Sequence, residues 1–359
     1  MATKLEIPRR VVVPLYPLRA PEVHSYGLGL KTALESTLTP TERWRFSFVG
    51  PTALEGHPSI ETVRSFVQLV GELEDSGFDG IVHFPVGNVR LYPVRGARTV
   101  ATIHELVASD GQRDSGDTVS VPRRIRPFLK QIDRIVAVSQ RAARALELIP
   151  GVSPDRVRVI PVGVDSARYF PAQPESIARA RQSLGLGEDY WVVIVPALDP
   201  ENQLMSIVRA YAELHKRVGS LPGLALLAQP GLVDPHLHAV LRSSGVEHAV
   251  RFVDPLDPAV WRAVVSAARS AIVPCLRGPL GGGALEAIAC GTPTITPDHS
   301  AFDEYAHPGT LRFDADEPES LIAALSRDRF RLRPVAALDR RFTWDGVVQS
   351  VLSLYAELA

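Results

Sequence analysis

Short apolar, β-branched runs recur along the chain and alternate with longer stretches whose apolar residues return every three or four positions. "RRVVVPLYP" (9–17) predicts a strand, and "LGLKTALESTL" (28–38) predicts the helix after it. "RFSFVG" predicts a second strand, "SIETVRSFVQLVGELEDSG" a helix and "DGIVHFP" another strand. "RTVATIHEL", "RIVAVS" and "VRVIPVGV" continue the series. Runs that are apolar at every position suit strands buried on both faces of a parallel sheet. Their alternation with helices predicts βαβ units in a doubly wound α/β fold.

The series pauses at "PVGVDSARYFPAQPES" (161–176), rich in proline and small residues, which reads as an interdomain linker. A second series follows: "YWVVIVPA", a helix over 201–218, "LALLAQP", a helix over 234–245, "VRFVDPL", a helix over 258–269, "SAIVPC" and "TPTITP". The expected domains are 1–165 and 166–340, with "FTWDGVVQSVLSLYAELA" forming a last helix over 341–359. Two such domains leave a cleft, and ligands of these folds sit at the carboxyl ends of strands. Residues 110–122 are polar without a period and read as a loop.

Composition narrows the function classes. The chain has 359 residues, enough for two cores, with 45% hydrophobic and 22% charged residues. The net charge is −1, from 39 basic and 40 acidic residues, so nothing electrostatic points to nucleic acid. No apolar run approaches the roughly 20 residues of a membrane span, and no signal-like segment opens the sequence. A cytoplasmic protein is expected, with peripheral contact to the inner membrane face as an option. Cys275 and Cys290 read as small buried hydrophobes rather than ligands or a disulfide. No His/Cys cluster has ligand spacing, and no metal is implied.

The stretch richest in chemistry is "CLRGPLGGGALEAIACGTP" (275–293). Gly281, Gly282 and Gly283 lead into an apolar helical turn that carries one carboxylate, Glu286. Glycines at a helix entry let an anion approach the unpaired backbone N–H groups. They also serve as a plain strand-to-helix turn. His104 closes the strand in "TIHEL" and His83 the strand in "IVHFP", both at the ends where ligands gather. Gly27 and Gly29 in "PEVHSYGLGLKTALE" read as a loop ahead of a helix, a weak signal by itself. "PRRIRPFLK" (122–130) gathers Arg123, Arg124, Arg126 and Lys130, and reads as a solvated helix start.

In order and spacing, three segments resemble the retaining GT-B glycosyltransferases of the group 1 or family 4 type. They are "DRIVAVSQRAARALELIPGVSPDRVRVIPVGVDSARYFP", "GGGALEAIACGTPTITPD" and "FTWDGVVQSVLSLYAEL". The resemblance implies two Rossmann-like domains, a nucleotide-sugar donor on the second and an acceptor on the first. It implies that the last helix crosses back to the N-terminal domain. It places Gly281, Gly282 and Gly283 at the donor phosphates, Glu286 at the ribose hydroxyls and His104 near the donor sugar. Gly27 and Gly29 would correspond to a glycine pair facing the diphosphate. The co-substrate would be UDP- or GDP-linked, with no further cofactor.

The sequence departs from the family's pattern around the donor. Gly278 stands where a glutamate is usual, eight positions before Glu286. Ala197 and Asn202 stand where an arginine and a lysine grip the diphosphate. Glu105 replaces the usual aspartate, Val162 an asparagine and Ser300–Ala301 a glycine pair. Two charge-assisted hydrogen bonds at about 1.5–3 kcal/mol each amount to roughly 10²- to 10⁴-fold in binding or rate. Arg277, at the mouth of the glycine loop, is the candidate replacement cation. The sequence therefore leaves two readings open. One is sugar transfer to an unknown acceptor, whether a sugar, a lipid-linked molecule or a small molecule. The other is a non-catalytic homologue that partners another glycosyltransferase.

Overall fold

The computed structural model describes residues 9–15, 21–37, 44–50, 60–62, 65–85, 93–104, 125–194, 200–227, 235–254, 257–274, 283–298, 304, 309–330 and 337–359. The chain divides into two compact units, Met1–Gly163 with Arg340–Ala359, and Val164–Asp339.

The first unit holds strands β1 (Arg9–Pro14), β2 (Trp44–Gly50), β3 (Ile60–Thr62), β4 (Ile81–Phe84), β5 (Arg98–Ile103), β6 (Arg134–Ala137) and β7 (Val157–Val159). They form a parallel sheet in the order β3-β2-β1-β4-β5-β6-β7. Its helices are α1 (Pro21–Thr37), α2 (Phe66–Asp75), α3 (Arg126–Leu129) and α4 (Gln140–Glu147). The β-branched runs read from the sequence fill the sheet's centre: Val82, Ala101, Ile103 and Ile135 are almost wholly enclosed.

The second unit opens with α5 (Pro174–Leu184), β8 (Tyr190–Ile194), α6 (Pro200–Val218), β9 (Gly223–Leu227), α7 (Pro235–Ser243) and β10 (Val250–Val253). It continues with α8 (Pro258–Ala267), β11 (Ala271–Ile272), α9 (Ala284–Ala289), β12 (Thr294–Pro297), β13 (Leu311–Phe313) and α10 (Pro318–Asp328). Its parallel sheet has the order β10-β9-β8-β11-β12-β13. In both sheets the order reverses beside the first strand, between β1 and β4 and between β8 and β11. Such a reversal opens a crevice at the carboxyl ends. A buried carboxylate ties the second unit together: Asp328 accepts from Trp191 Nε1–H (2.7 Å) and from the Ser270 hydroxyl (2.9 Å).

The last helix, α11 (Trp344–Leu358), packs on α1 within the first unit. Thr343 caps it, its hydroxyl accepting from Gly346 N–H at 3.2 Å. Two local readings of the sequence are corrected. Residues 59–77 were expected as one helix, but Ile60–Thr62 form edge strand β3 beside Phe48–Gly50, and α2 starts only after its cap Ser65. β-Branched residues favour the strand, and the serine hydroxyl, accepting from Gln68 N–H, starts the helix later. The second correction concerns Gly27 and Gly29. They lie inside α1, which begins at Pro21, and not in a loop ahead of it. Proline suits a first helical position.

Among the described residues no helix is long and apolar enough to cross a membrane. Nor do three or more His, Cys, Asp or Glu side chains gather there in a group that could hold a metal. Cys290 is a buried free thiol whose pKa burial pushes up to about 12. Cys275 and the polar stretch 110–122 lie outside the described residues.

Candidate functional site

The second unit's switch point is built from the end of β8 and the start of α9. Gly283 sits at the helix entry with φ +100°. A Cβ added there would lie 2.5 Å from Ile194 Cγ2, at the last position of β8. Glycine is therefore required twice, for its left-handed backbone and for the close approach of the strand. Three residues on, Glu286 is half-buried in the first turn of α9, whose other early side chains, Ala284, Leu285 and Ala287, face the core. Burial raises the Glu286 carboxyl above the usual carboxylate range, and the charge of Arg168 opposes this only in part.

Arg168 belongs to the segment that opens this unit, and the sequence reading did not single it out. The segment folds over α8 and the end of α9. The Arg168 carbonyl accepts from Arg262 (3.3 Å), the Arg262 guanidinium covers the Phe170 ring (4.1 Å), and Tyr169 meets Trp261 edge-on at 5.1 Å. Burial, with the nearby Glu286 charge, raises the Tyr169 phenol to about 12.

In the first unit the functional candidates gather at the carboxyl ends of β4 and β5. His104 is buried just past β5, and its Nε2–H donates to the Pro85 carbonyl at 2.9 Å. Gly27 approaches the same proline: a Cβ there would lie 3.1 Å from Leu15 Cδ2 and 3.8 Å from Pro85 Cγ. Gly29 faces the other way, and a Cβ on it would overlap the Trp344 indole. Both glycines thus serve packing around α1, and their N–H groups lie beyond the first turn, where helical amides bond within the helix.

His83 proves to be a structural histidine. Its Nδ1 lies 2.6 Å from the Tyr355 hydroxyl and its Nε2 2.8 Å from Thr102 Oγ1, so both nitrogens are satisfied. Burial lowers its pKa to about 3 and that of His104 to about 4, so both imidazoles are neutral at ordinary pH. Arg277, Gly281 and Gly282 lie outside the described residues, as do Ala197 and Gly278. Asn202 lies in the first turn of α6.

Two family models match the chain, one to each unit. Glycosyltransferase Family 4 matches residues 18–168, and Glycosyl transferases group 1 matches residues 190–327. The D-inositol 3-phosphate glycosyltransferase of Acidothermus cellulolyticus is 31% identical over 282 residues, 73% of this chain and 62% of that protein. This chain belongs to the group 1 glycosyltransferases. Its fold is GT-B, as two solved structures bear out. A glycosyltransferase of Rickettsia africae matches with TM-score 0.72 at 12% identity over 98% of either chain. Anabaena HepE in complex with UDP matches with TM-score 0.71 at 15% identity, over 97% of this chain and 100% of its own. The match spans less than two thirds of the Acidothermus protein's own length.

Tyr26, Pro85 and Arg168 are the contributors that sequence reasoning missed. Only Tyr26 left a trace there, as an apolar position at helical spacing before Leu30 and Leu34. A backbone carbonyl leaves none.

Proposed function

We propose that this protein is a retaining glycosyltransferase that moves a sugar from a UDP- or GDP-linked donor to an acceptor. The observation that carries the reading is the placement of Gly283 and Glu286 together at the second sheet's switch point. In this reading the glycine loop brings its N–H groups to the diphosphate, and Glu286 accepts from the ribose hydroxyls. A half-buried carboxylate is short of donors, which is why burial raises its pKa, and two hydroxyls supply them. As the glycosidic bond breaks, charge builds on the leaving diphosphate. Arg277 is the cation assigned to it, and His104 is assigned to the transferred sugar. D-inositol 3-phosphate, after which the Acidothermus relative is named, is the first acceptor to assay.

Titration calorimetry with UDP, GDP and their sugars tests the reading. One nucleotide series should bind, and Glu286→Gln should weaken it about 10- to 100-fold, the worth of one or more charge-assisted hydrogen bonds. The variant's Tm should stay level or rise, because it removes an ionisable group whose charged form burial disfavours. Absence of binding and of donor hydrolysis across the whole panel would sink the proposal. Ala197, Asn202 and Gly278 favour a second reading, a non-catalytic homologue that partners another glycosyltransferase. That reading expects a stable hetero-oligomer with an active relative, and sugar transfer by the purified protein alone would rule it out.

A further inference from the structure

His104 and Tyr26 meet edge-on, with ring centroids 4.7 Å apart and planes at 78°. Each is about 1% exposed. Because a carbonyl can only accept, the bond to Pro85 places the His104 proton on Nε2 and leaves a lone pair on Nδ1. That Nδ1 is buried and has no hydrogen-bond partner among the described residues. The Tyr26 hydroxyl is also buried, beside Thr102 but without a hydrogen bond of normal geometry. The neighbouring His83 shows the usual outcome for a buried imidazole, with a hydroxyl on each nitrogen. His104, by contrast, is half satisfied.

An unpaired buried acceptor costs about 1–3 kcal/mol, so a free imidazole would flip or tilt until both nitrogens found partners. Tyr26 stands in the way. Its ring is backed by the Trp344 indole, 5.6 Å away. The indole has no room to retreat, since the backbone at Gly29 and Gly163 lies against it; a Cβ on Gly163 would fall 2.5 Å from Trp344 Cδ2.

We propose that Tyr26 is a positioning residue for His104: its ring, wedged by Trp344, holds the imidazole in one orientation and one tautomer, with Nδ1 presented as an acceptor to a ligand hydroxyl. The identity of that ligand rests on the glycosyltransferase reading; the positioning does not. Among the described residues the titratable groups facing His104 are Tyr26 from α1 and His83 from β4, with Tyr355 of α11 behind His83. None is an anion at neutral pH; the Pro85 carbonyl favours an imidazolium, but burial outweighs it and holds the ring neutral. An acceptor-only Nδ1 selects a hydroxyl and rejects a phosphate or carboxylate oxygen, which are acceptors themselves.

The test is the nitrogen NMR spectrum of the full chain labelled at histidine, with His104 identified by its loss in His104→Gln. The wild type should show a single Nε2–H tautomer with no titration from pH 5 to 8, and Tyr26→Phe, which keeps the ring, should match it. Tyr26→Leu should show both tautomers and a titration midpoint raised by a pH unit or more. If Tyr26→Leu does not fold, Trp344→Phe, which withdraws the backing and leaves Tyr26 in place, is read for the same mixture. The proposal is overturned by mixed tautomers in the wild type, by an unchanged spectrum in the variant read, or by Tyr26→Phe already behaving like Tyr26→Leu. A failed nucleotide titration would remove the functional reading and leave this spectrum unaffected.

Discussion

At Gly283 two requirements meet, a φ of +100° and a neighbouring Ile194 that leaves no room for a methyl group. A left-handed backbone costs an L-residue about 1–2 kcal/mol, and the overlap with Ile194 adds to that. Gly283→Ala should therefore destabilise the second unit by about 2–4 kcal/mol, measured by urea unfolding. In a double-mutant cycle with Ile194→Ala, the steric share should appear as a coupling of about 1 kcal/mol or more, with the backbone share retained. Purely additive variants would show that Ile194 is not what excludes a side chain. The sequence showed three glycines in a row; the approach of β8 makes Gly283 a position where any Cβ is refused.

The seam between α1 and α11 makes the same argument for an element. Gly29 is a liability in an isolated helix, by about 1 kcal/mol relative to alanine. It is kept because the Trp344 indole occupies the space a Cβ would need. Gly29→Ala should thus destabilise the wild type. In a Trp344→Ala background, which itself loses about 3–5 kcal/mol, the same change should stabilise by roughly 0.5–1 kcal/mol. This reversal of sign, read from thermal or urea unfolding, is the diagnostic; a cost of equal size in both backgrounds would refute the packing account. The resemblance put Gly27 and Gly29 in a loop ahead of the helix, although the expected helix over 28–38 already held Gly29. Glycine's low helix propensity is the rule that agrees with a loop. That rule is local, and the partner that overrides it lies more than 300 residues away in the chain.

For the molecule as a whole, the buried histidines set a pH window. Their folded pKa values, about 3 for His83 and about 4 for His104, lie below the ordinary value near 6.5. Above that value neither state binds the proton and the stabilisation is complete. As pH falls below about 6.5 the unfolded chain takes up protons that the fold refuses, and stability drops toward pH 4. The loss is on the order of 2–3 kcal/mol for each histidine. Glu286 has the opposite sense, its raised pKa giving a contribution that fades as pH rises through it. The urea midpoint should fall markedly between pH 7.5 and pH 5. His83→Gln, which can still bond both hydroxyls and does not titrate, should flatten that fall. An unchanged slope would place the acid sensitivity elsewhere.

The fold class was legible in the sequence because strands buried on both faces are mostly apolar and β-branched, as Val11–Val13 and Trp191–Ile194 are. Gly283 at the entry of a helix that carries Glu286 was legible for a related reason: a turn and a carboxylate placed a fixed distance apart along one segment are local features. Which histidine is structural was not legible. His83 and His104 both end apolar strands, and only the hydroxyls of Tyr355 and Thr102 on one, and the carbonyl of Pro85 on the other, separate their roles. The sequence by itself determined most of the strands and helices and the chemistry available along each segment, since those follow from neighbours in the chain; edge strand β3 and the start of α2 it did not. The tertiary structure decided which glycines are forced by packing and which nitrogen of His104 is left open, because both depend on atoms brought close from distant parts of the sequence.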